Sequence, residues 1–402
     1  MGKKCFFLFF MVAVFGLTFL FSNQGWAAEE IVVGASLPFT GGLSKEAPYF
    51  RDGYTLGVEM INKKGGWFGK KLKIVIEDDQ TDPAKCIAFY EKLITMHKAA
   101  ALFGPLGSSV TAAAAGVAEK HQIPIVSSYA ASESLYTQGY KYHFGICASR
   151  YFGGSYSVPF IDMVQGFDKW GPKGQAKPTK IAIIAVSGSY GRDAVDRCVK
   201  RAKEAGLNVV YDGLYDAKTG DFTPMLQNIK SSGAEILCAV SYYNDSVLLA
   251  RGIAKLKIPF KVIFLGTGPD LPEWKEMGAV GYNYCTAYPL SPAWKRGGYA
   301  EFVEGYKAMF GKEPIYSHAW AYGVAQVFDA AVKKAGTLEP KKVRDAIASL
   351  DMDVAWCRVK FAADGHNEAY GGTYISQNQK GKTVGVWPPE IAEGPVIFPF
   401  GK

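Results

Sequence analysis

Apolar runs of four to eight residues alternate with amphipathic stretches of ten to eighteen along most of this chain, and that alternation predicts βαβ units on parallel sheets. Residues 31–37 read as a buried first strand. Phe50, Tyr54, Val58 and Ile61 then recur at helical spacing, and the helix they predict stops at Gly65-Gly66. Residues 72–77 read as a second strand. Asp82-Pro83 opens a helix with a capping side chain ahead of a proline, and 99–103, 109–121 and 123–126 continue as strand, helix and strand. The first half is therefore expected to be a doubly wound α/β lobe.

The run GFDKWGPKGQAKPTK at 166–180 carries glycines, prolines and lysines without periodicity and reads as a surface loop. A second series follows, with strands at 181–186, 208–211, 235–240 and 261–265 and helices near 193–205, 223–231 and 245–256. Two similar series predict two lobes with a cleft between them, a common place for a small ligand. In the final third, 299–310, 317–335 and 340–350 read as helices, and 354–361 and 373–376 as strands. Helices without alternating strands of their own must pack on a sheet already made, so the chain is expected to return to the first lobe and cross again.

With 402 residues, 49% of them hydrophobic and 20% charged, the chain has ample material for a core, which excludes disorder, a collagen-like repeat and a small disulfide scaffold. Lys3 and Lys4 precede an uncharged segment, 5–28, that is almost wholly apolar to residue 21, and Gly25-Trp26-Ala27 supplies small residues around a cleavage point. Residues 1–27 read as a secretory signal peptide, which implies a periplasmic protein. An uncleaved anchor is the alternative, since the run approaches the roughly 20 residues that span a bilayer. Removing the two lysines lowers the net charge from +8 to +6. The remaining pairs Lys63-Lys64, Lys70-Lys71 and Lys333-Lys334 are scattered, without the basic stripe of a nucleic-acid surface. Cys86, Cys147, Cys198, Cys238, Cys285 and Cys357 form no CxxC and no metal-ligand spacing with the histidines. Buried thiols and an unspecified disulfide both remain open.

The chain carries no GxSxG, HExxH, Walker-type or strand-borne GxGxxG motif, so neither an enzyme nor a cofactor is expected. Asp78, Asp79 and Asp82 in DDQTD read as a strand end, a turn and a helix cap rather than a metal site. The strongest signal is FGPLGSSVT at 103–111, where a buried strand runs through a glycine-bounded turn into a helix starting on two hydroxyl residues. In an open α/β sheet ligands collect outside the carboxyl ends of strands, and a helix start offers unpaired N–H groups. Ser108 and Ser109 are thus candidates to hold a carboxylate, although Ser108 acting only as a helix cap is equally consistent. The next strand ends in a second polar turn, SSYAASE at 127–133. Across the cleft, SGSYGRD at 187–193 and SYYND at 241–245 place Tyr190, Tyr242 and Tyr243 at strand ends, each with a flat apolar face and one polar handle.

Taken in order, LPFTGG (37–42), INKKGG (61–66), EDDQTDPAK (77–85), FGPLGSS (103–109), IPIVSS (123–128), SYGRD (189–193) and GTGPDLPEW (266–274) resemble the periplasmic binding proteins of the branched-chain amino acid type. The resemblance covers the chain from residue 28 onward. It implies two Rossmann-like lobes joined by a three-crossover hinge, the type I fold, with 28–149 and 288–354 in lobe 1 and 150–287 and 355–402 in lobe 2. It also implies a monomer that delivers a small molecule to an inner-membrane ABC permease, with docking on a membrane receptor as a sensory alternative. Ser108, Ser109 and the turn Tyr129, Ala130 and Ala131 would hold a carboxylate, with Tyr190, Tyr242 and Tyr243 facing from the other lobe. Two features depart from the pattern. The turn after Leu265 has no acid to grip an ammonium group, Asp270 coming slightly late, and the second turn has Ala131 where a hydroxyl is usual. Lys45, in a segment where glycine is frequent, is placed to reach an anionic ligand. The expected ligand is a branched-chain or other hydrophobic amino acid, with a non-amino-acid carboxylate or amide, aromatic acids included, as the alternative.

Overall fold

The computed structural model describes residues 30–147, 156–288, 297–370 and 373–400, so the expected signal peptide lies outside the described residues. Strands β1 (Ile31–Leu37), β2 (Leu72–Asp78), β3 (Ala101–Phe103), β4 (Ile125–Ser127) and β5 (His143–Gly145) form one sheet in the order β2-β1-β3-β4-β5, with every pairing parallel. Six of the seven residues of β1 are buried, as the continuous apolar run of a strand covered on both faces requires. Helices α2 (Pro83–Thr95) and α3 (Ser108–His121) cover one face through Tyr90, Leu93, Ala114 and Ala118. Asp82 caps α2, accepting from the N–H groups of Ala84 at 2.8 Å and Lys85 at 3.3 Å. Helix α1 (Ala47–Lys63) lies on the other face.

After α4 (Val158–Gln165) and α5 (Phe167–Trp170), the second lobe repeats the plan. Strands β6 (Lys180–Val186), β7 (Asn208–Tyr215), β8 (Ile236–Val240), β9 (Val262–Leu265) and β10 (Cys285–Tyr288) take the order β7-β6-β8-β9-β10, all parallel. Helices α6 (Ser189–Glu204), α7 (Thr223–Ser231) and α8 (Tyr243–Leu256) connect them. In each sheet the strand order reverses once, between β1 and β3 and between β6 and β8. At such a switch point the outgoing loops diverge and open a crevice at the strands' carboxyl ends.

Helices α9 (Tyr299–Phe310), α10 (Tyr316–Ala335) and α11 (Pro340–Ala348) then return to the first lobe, where α10 packs along α1. Fourteen of the twenty residues of α10 are buried. The contact is closest at Gly53 and Gly57 of α1, where an added Cβ would sit 2.4 Å from the carbonyl oxygen of His318 and 2.4 Å from the Cβ of Ala325. The two glycines, one turn apart, allow the backbones to approach.

The structure differs from expectation in several places. The loop at 166–180 contains the single-turn helix α5, held where the Trp170 indole donates to the Met163 carbonyl at 2.6 Å. The strand expected at 354–361 is instead a small hairpin, β11 (Asp351–Asp353) with β12 (Arg358–Lys360). The strand expected at 373–376 extends into a second hairpin, β13 (Tyr374–Gln379) with β14 (Lys382–Trp387), that adds antiparallel strands beside β10. The third crossing comes later than the boundary at 354/355. Residues 365–367 still pair with the open edge of the first sheet, where the Gly145 N–H donates to the Gly365 carbonyl at 2.9 Å and the Asn367 side-chain amide to the Ile146 carbonyl at 2.9 Å. The chain joins the second sheet only at Tyr374. The crossing expected at 149/150 lies outside the described residues; Tyr288, assigned to lobe 1, still pairs with Tyr374 in the second sheet. No disulfide is formed among the described residues.

Replacing glycine by alanine inside a helix ordinarily stabilises by roughly 0.5–1 kcal/mol. At Gly57 the sign is expected to reverse, because the added methyl group overpacks the α1–α10 seam, with a net loss of about 1–3 kcal/mol. A urea midpoint for Gly57→Ala at or above that of the parent protein would contradict this packing.

Candidate functional site

Both switch points face the same space. A cavity with about 690 Å³ of space, open solvent at its mouth included, lies between the carboxyl ends of the two sheets. The first lobe contributes Gly107 and Ser108 from the turn after β3, Tyr129, Ala130 and Ala131 from the turn after β4, and Tyr316 and Trp320 from the start of α10. The second lobe contributes Tyr190 after β6, Val240, Ser241 and Tyr242 at the end of β8, Phe264, Gly266 and Thr267 at the end of β9, and Ala287 on β10. Tyr156, just beyond the first crossing, completes the wall.

The turn after β3 does not work as a simple cap. The residue preceding α3 is Gly107, at φ 91° and ψ 142°, a conformation that side chains other than glycine's adopt only under strain, and it supplies no side-chain cap. The first-turn N–H groups of α3 therefore keep their partial positive charge unmasked. Ser108 is the first helical residue, and its Oγ accepts the N–H groups of Ala131 and Ser132, each at 3.1 Å. This stitches the two ligand-facing turns together and leaves the hydroxyl proton as a donor, since a serine oxygen has two acceptor sites and one O–H. The Ala131 N–H is consumed in that bond. The Gly107 N–H donates to the Tyr129 carbonyl at 2.9 Å, a second stitch between the same turns.

The wall is aromatic and uncharged. Trp320 packs against Tyr129, Tyr156 and Tyr316, with ring centroids 5.6, 6.0 and 5.2 Å away, and Tyr156 lies 6.5 Å from Tyr190. Burial pushes the hydroxyls of Tyr129, Tyr156, Tyr190 and Tyr316 far above their usual range, so these rings stay neutral. The lobes are in contact around the mouth. Asp193 accepts from the Ser132 hydroxyl and, at 2.9 Å, from the Glu133 N–H, while Arg197 pairs with Glu133. On the opposite side the Tyr49 hydroxyl donates to the Glu273 carboxylate at 2.5–2.6 Å.

Of the residues expected at the site, Ser108, Tyr129, Ala130, Ala131, Tyr190 and Tyr242 line the cavity together. Four do not. Ser109 is exposed and faces Ser189 of the other lobe at 3.5 Å, because consecutive residues at a helix start point about 100° apart. Tyr243, the residue after Tyr242, turns away for the same reason and packs on Trp274 at 6.4 Å. Lys45 is exposed, whereas its neighbour Glu46 is wholly buried. Asp270 does not line the cavity, but both its carboxylate oxygens are buried without a hydrogen-bond partner. Ser241, Gly266 and Thr267 follow the strand-end rule that found the other turns. Tyr316 and Trp320 had no local signal, since α10 reaches the cavity only by returning from the far end of the chain.

DDQTD is structural. Asp79 accepts the Ser36 hydroxyl at 2.6 Å and the Thr81 N–H at 2.9 Å, and Asp78 accepts from Thr40 and Gln80. Among the described residues no cluster of three His, Cys, Asp or Glu side chains could hold a metal ion, and no helix is long and apolar enough to cross a membrane.

The family profile for periplasmic binding proteins matches residues 30–383. A Leu/Ile/Val-binding protein homolog 7 from Brucella suis is 27% identical over 396 residues, covering 94% of this chain and 97% of that protein. Two solved structures share the fold. One is the branched-chain amino acid transporter substrate-binding protein LivJ from Streptococcus pneumoniae in complex with isoleucine, with TM-score 0.75 and 23% identity over 92% of this chain and 100% of that one. The other is an ABC transporter solute-binding protein from R. palustris in complex with benzoate, with TM-score 0.76 and 18% identity over 92% of this chain and 98% of that one.

Burial, with the charges of Asp270, Asp245 and Glu273 adding to it, pushes the Glu46 carboxyl from an ordinary 4.5 up to about 8. Between those values the folded chain holds a proton that the unfolded chain has released, so this group costs stability as pH rises. Glu46→Gln is expected to be progressively more stable than the parent as pH is raised from 5 to 8 in the absence of ligand. Urea midpoints that run parallel for the two proteins across that interval would refute the assignment.

Proposed function

The chain belongs to the periplasmic binding protein family, as an extracytoplasmic substrate-binding component of an ABC importer, and we propose that its ligand is a small carboxylate with an apolar body. A branched-chain or other hydrophobic amino acid is the first choice. The observation that carries this reading is the uncapped start of α3 with the Ser108 hydroxyl at the wall of an aromatic cavity between the lobes. The carboxylate binds at the α3 N–H groups and that hydroxyl, and the apolar body lies among Tyr156, Tyr190, Phe264 and Trp320. The Brucella relatives and the isoleucine complex support the amino acid. An aromatic acid is the second reading, supported by a ring-rich wall without a charged side chain and by the benzoate-bound neighbour.

In this reading the protein acts in the periplasm as a monomer and hands its ligand to a membrane permease. Both lobes contribute to the wall, so a ligand that touches both favours the closed arrangement by its differential affinity for it, and closure follows as a shift of population.

Calorimetric titration with leucine, isoleucine, valine, phenylalanine and benzoate is expected to find micromolar or tighter binding in one of the two classes. Small-angle scattering is expected to show a monomer that becomes more compact with that ligand, and Tyr190→Ala is expected to weaken binding by about tenfold or more. Tight binding without compaction would contradict the closure mechanism.

A further inference from the structure

The starts of α3 and α6 meet across the interlobe space, and each divides two successive residues between two cavities. Ser108 and Tyr190 line the cavity described above, whereas their neighbours Ser109 and Ser189 line a second one, with about 730 Å³ of space, open solvent at its mouth included. Consecutive helical residues point about 100° apart, which parts each pair. The Ser109 and Ser189 hydroxyls lie 3.5 Å from each other, so one hydroxyl from each lobe closes the seam between the lobes at this point.

The polar lining of this second cavity comes from both lobes. Ser109, Ser134, Gln138 and Tyr140 belong to the first, Ser189 and Arg192 to the second, and among the described residues no carboxylate lines it. Arg192 is the one charged group in the lining, and it makes no hydrogen bond or ion pair among the described residues. The acids nearby do not neutralise it. Asp193 accepts the Glu133 N–H at 2.9 Å, Glu133 pairs with Arg197, and Asp196, one turn along α6, is exposed and forms no ion pair with Arg192. A guanidinium is a planar fork of N–H donors that keeps its charge, and hydroxyls turn their protons toward whatever acceptor is offered. Such a lining has donors and positive charge but no negative group of its own.

We propose that the second cavity binds a small oxyanion of the phosphate or sulfate type, between Arg192 of the second lobe and the hydroxyls of Ser109 and Tyr140 of the first. Charge-assisted bonds from the guanidinium supply most of the hold, and the hydroxyls complete it only when the lobes meet. The anion therefore has a higher affinity for the closed arrangement than for the open one and shifts the population toward closure. By linkage, an occupant of the first cavity and an anion in the second each tighten the binding of the other. The site stands on the lining of its own cavity and does not depend on which solute fills the first.

The test is calorimetric titration of the purified protein with inorganic phosphate and with sulfate at pH 7, at an ionic strength held constant with chloride and with no solute added. The parent protein is expected to bind one anion saturably. Arg192→Gln is expected to weaken that binding by about tenfold or more, and Ser109→Ala, from the other lobe, by about threefold. Lys200→Gln removes an exposed positive charge two turns further along α6 and outside the cavity, and is expected to leave the affinity unchanged. Small-angle scattering is expected to show a smaller radius of gyration for the parent protein in phosphate than in chloride, and no such difference for Arg192→Gln. Absence of saturable binding, an unchanged affinity in Arg192→Gln, or an equal loss in Lys200→Gln overturns the site. Saturable binding without compaction overturns the bridge between the lobes. No solute enters these measurements, so each of those results leaves the solute-binding reading where it stands.

Discussion

The uncapped start of α3 is the constraint around which the ligand-facing half of the first lobe is organised. A glycine at φ 91° turns the chain out of β3 sharply enough for the helix to begin at the sheet edge, and no side chain covers its first N–H groups. Ser108, released from capping, binds the N–H groups of Ala131 and Ser132 in the turn after β4. Two loops that belong to different βαβ units thereby become one surface. The second lobe repeats the device at Gly188, which precedes α6 at φ 131° and also carries no side-chain cap. A helix start therefore faces the interlobe space from each side, and the polar character of that space is set by backbone rather than by charged side chains.

Where these features could be read in advance, the reason is local. The alternation of apolar runs with amphipathic stretches is a property of consecutive residues, and it located nine of the twelve strands of the two sheets, missing β5, β10 and β14. The rule that ligands gather at strand carboxyl ends then selected turns that line the cavity, because those ends follow from the strands themselves. Within a turn the reading lost precision. Ser108 and Ser109, Tyr242 and Tyr243, and Lys45 and Glu46 are neighbours whose side chains diverge at a helix start, and the rotation that separates them depends on the helix's first residue. The Lys45–Glu46 pair is the most instructive, since hydropathy alone would bury neither. Glu46 is interior because the fold closes over it, and Tyr316 and Trp320 reach the cavity because α10 comes back to α1. Neither fact has a local cause.

Opposed electrostatic arrangements meet at the boundary between the lobes. On one side Arg197 pairs with Glu133 while Asp193 accepts two hydrogen bonds, so charges and donors are matched. On the other side the Glu46 carboxyl is buried without a hydrogen-bond partner, and that burial raises its affinity for a proton.

Tyr156 has a double attachment. Its ring lines the cavity, and its hydroxyl donates to the Cys147 carbonyl at 2.8 Å, on the far side of the first passage between lobes. The binding wall is thus tied through one side chain to the end of the first lobe's described chain. A substitution that removes this ring therefore changes two things at once, the surface offered to a solute and a bond between the chain segments that leave one lobe and enter the other.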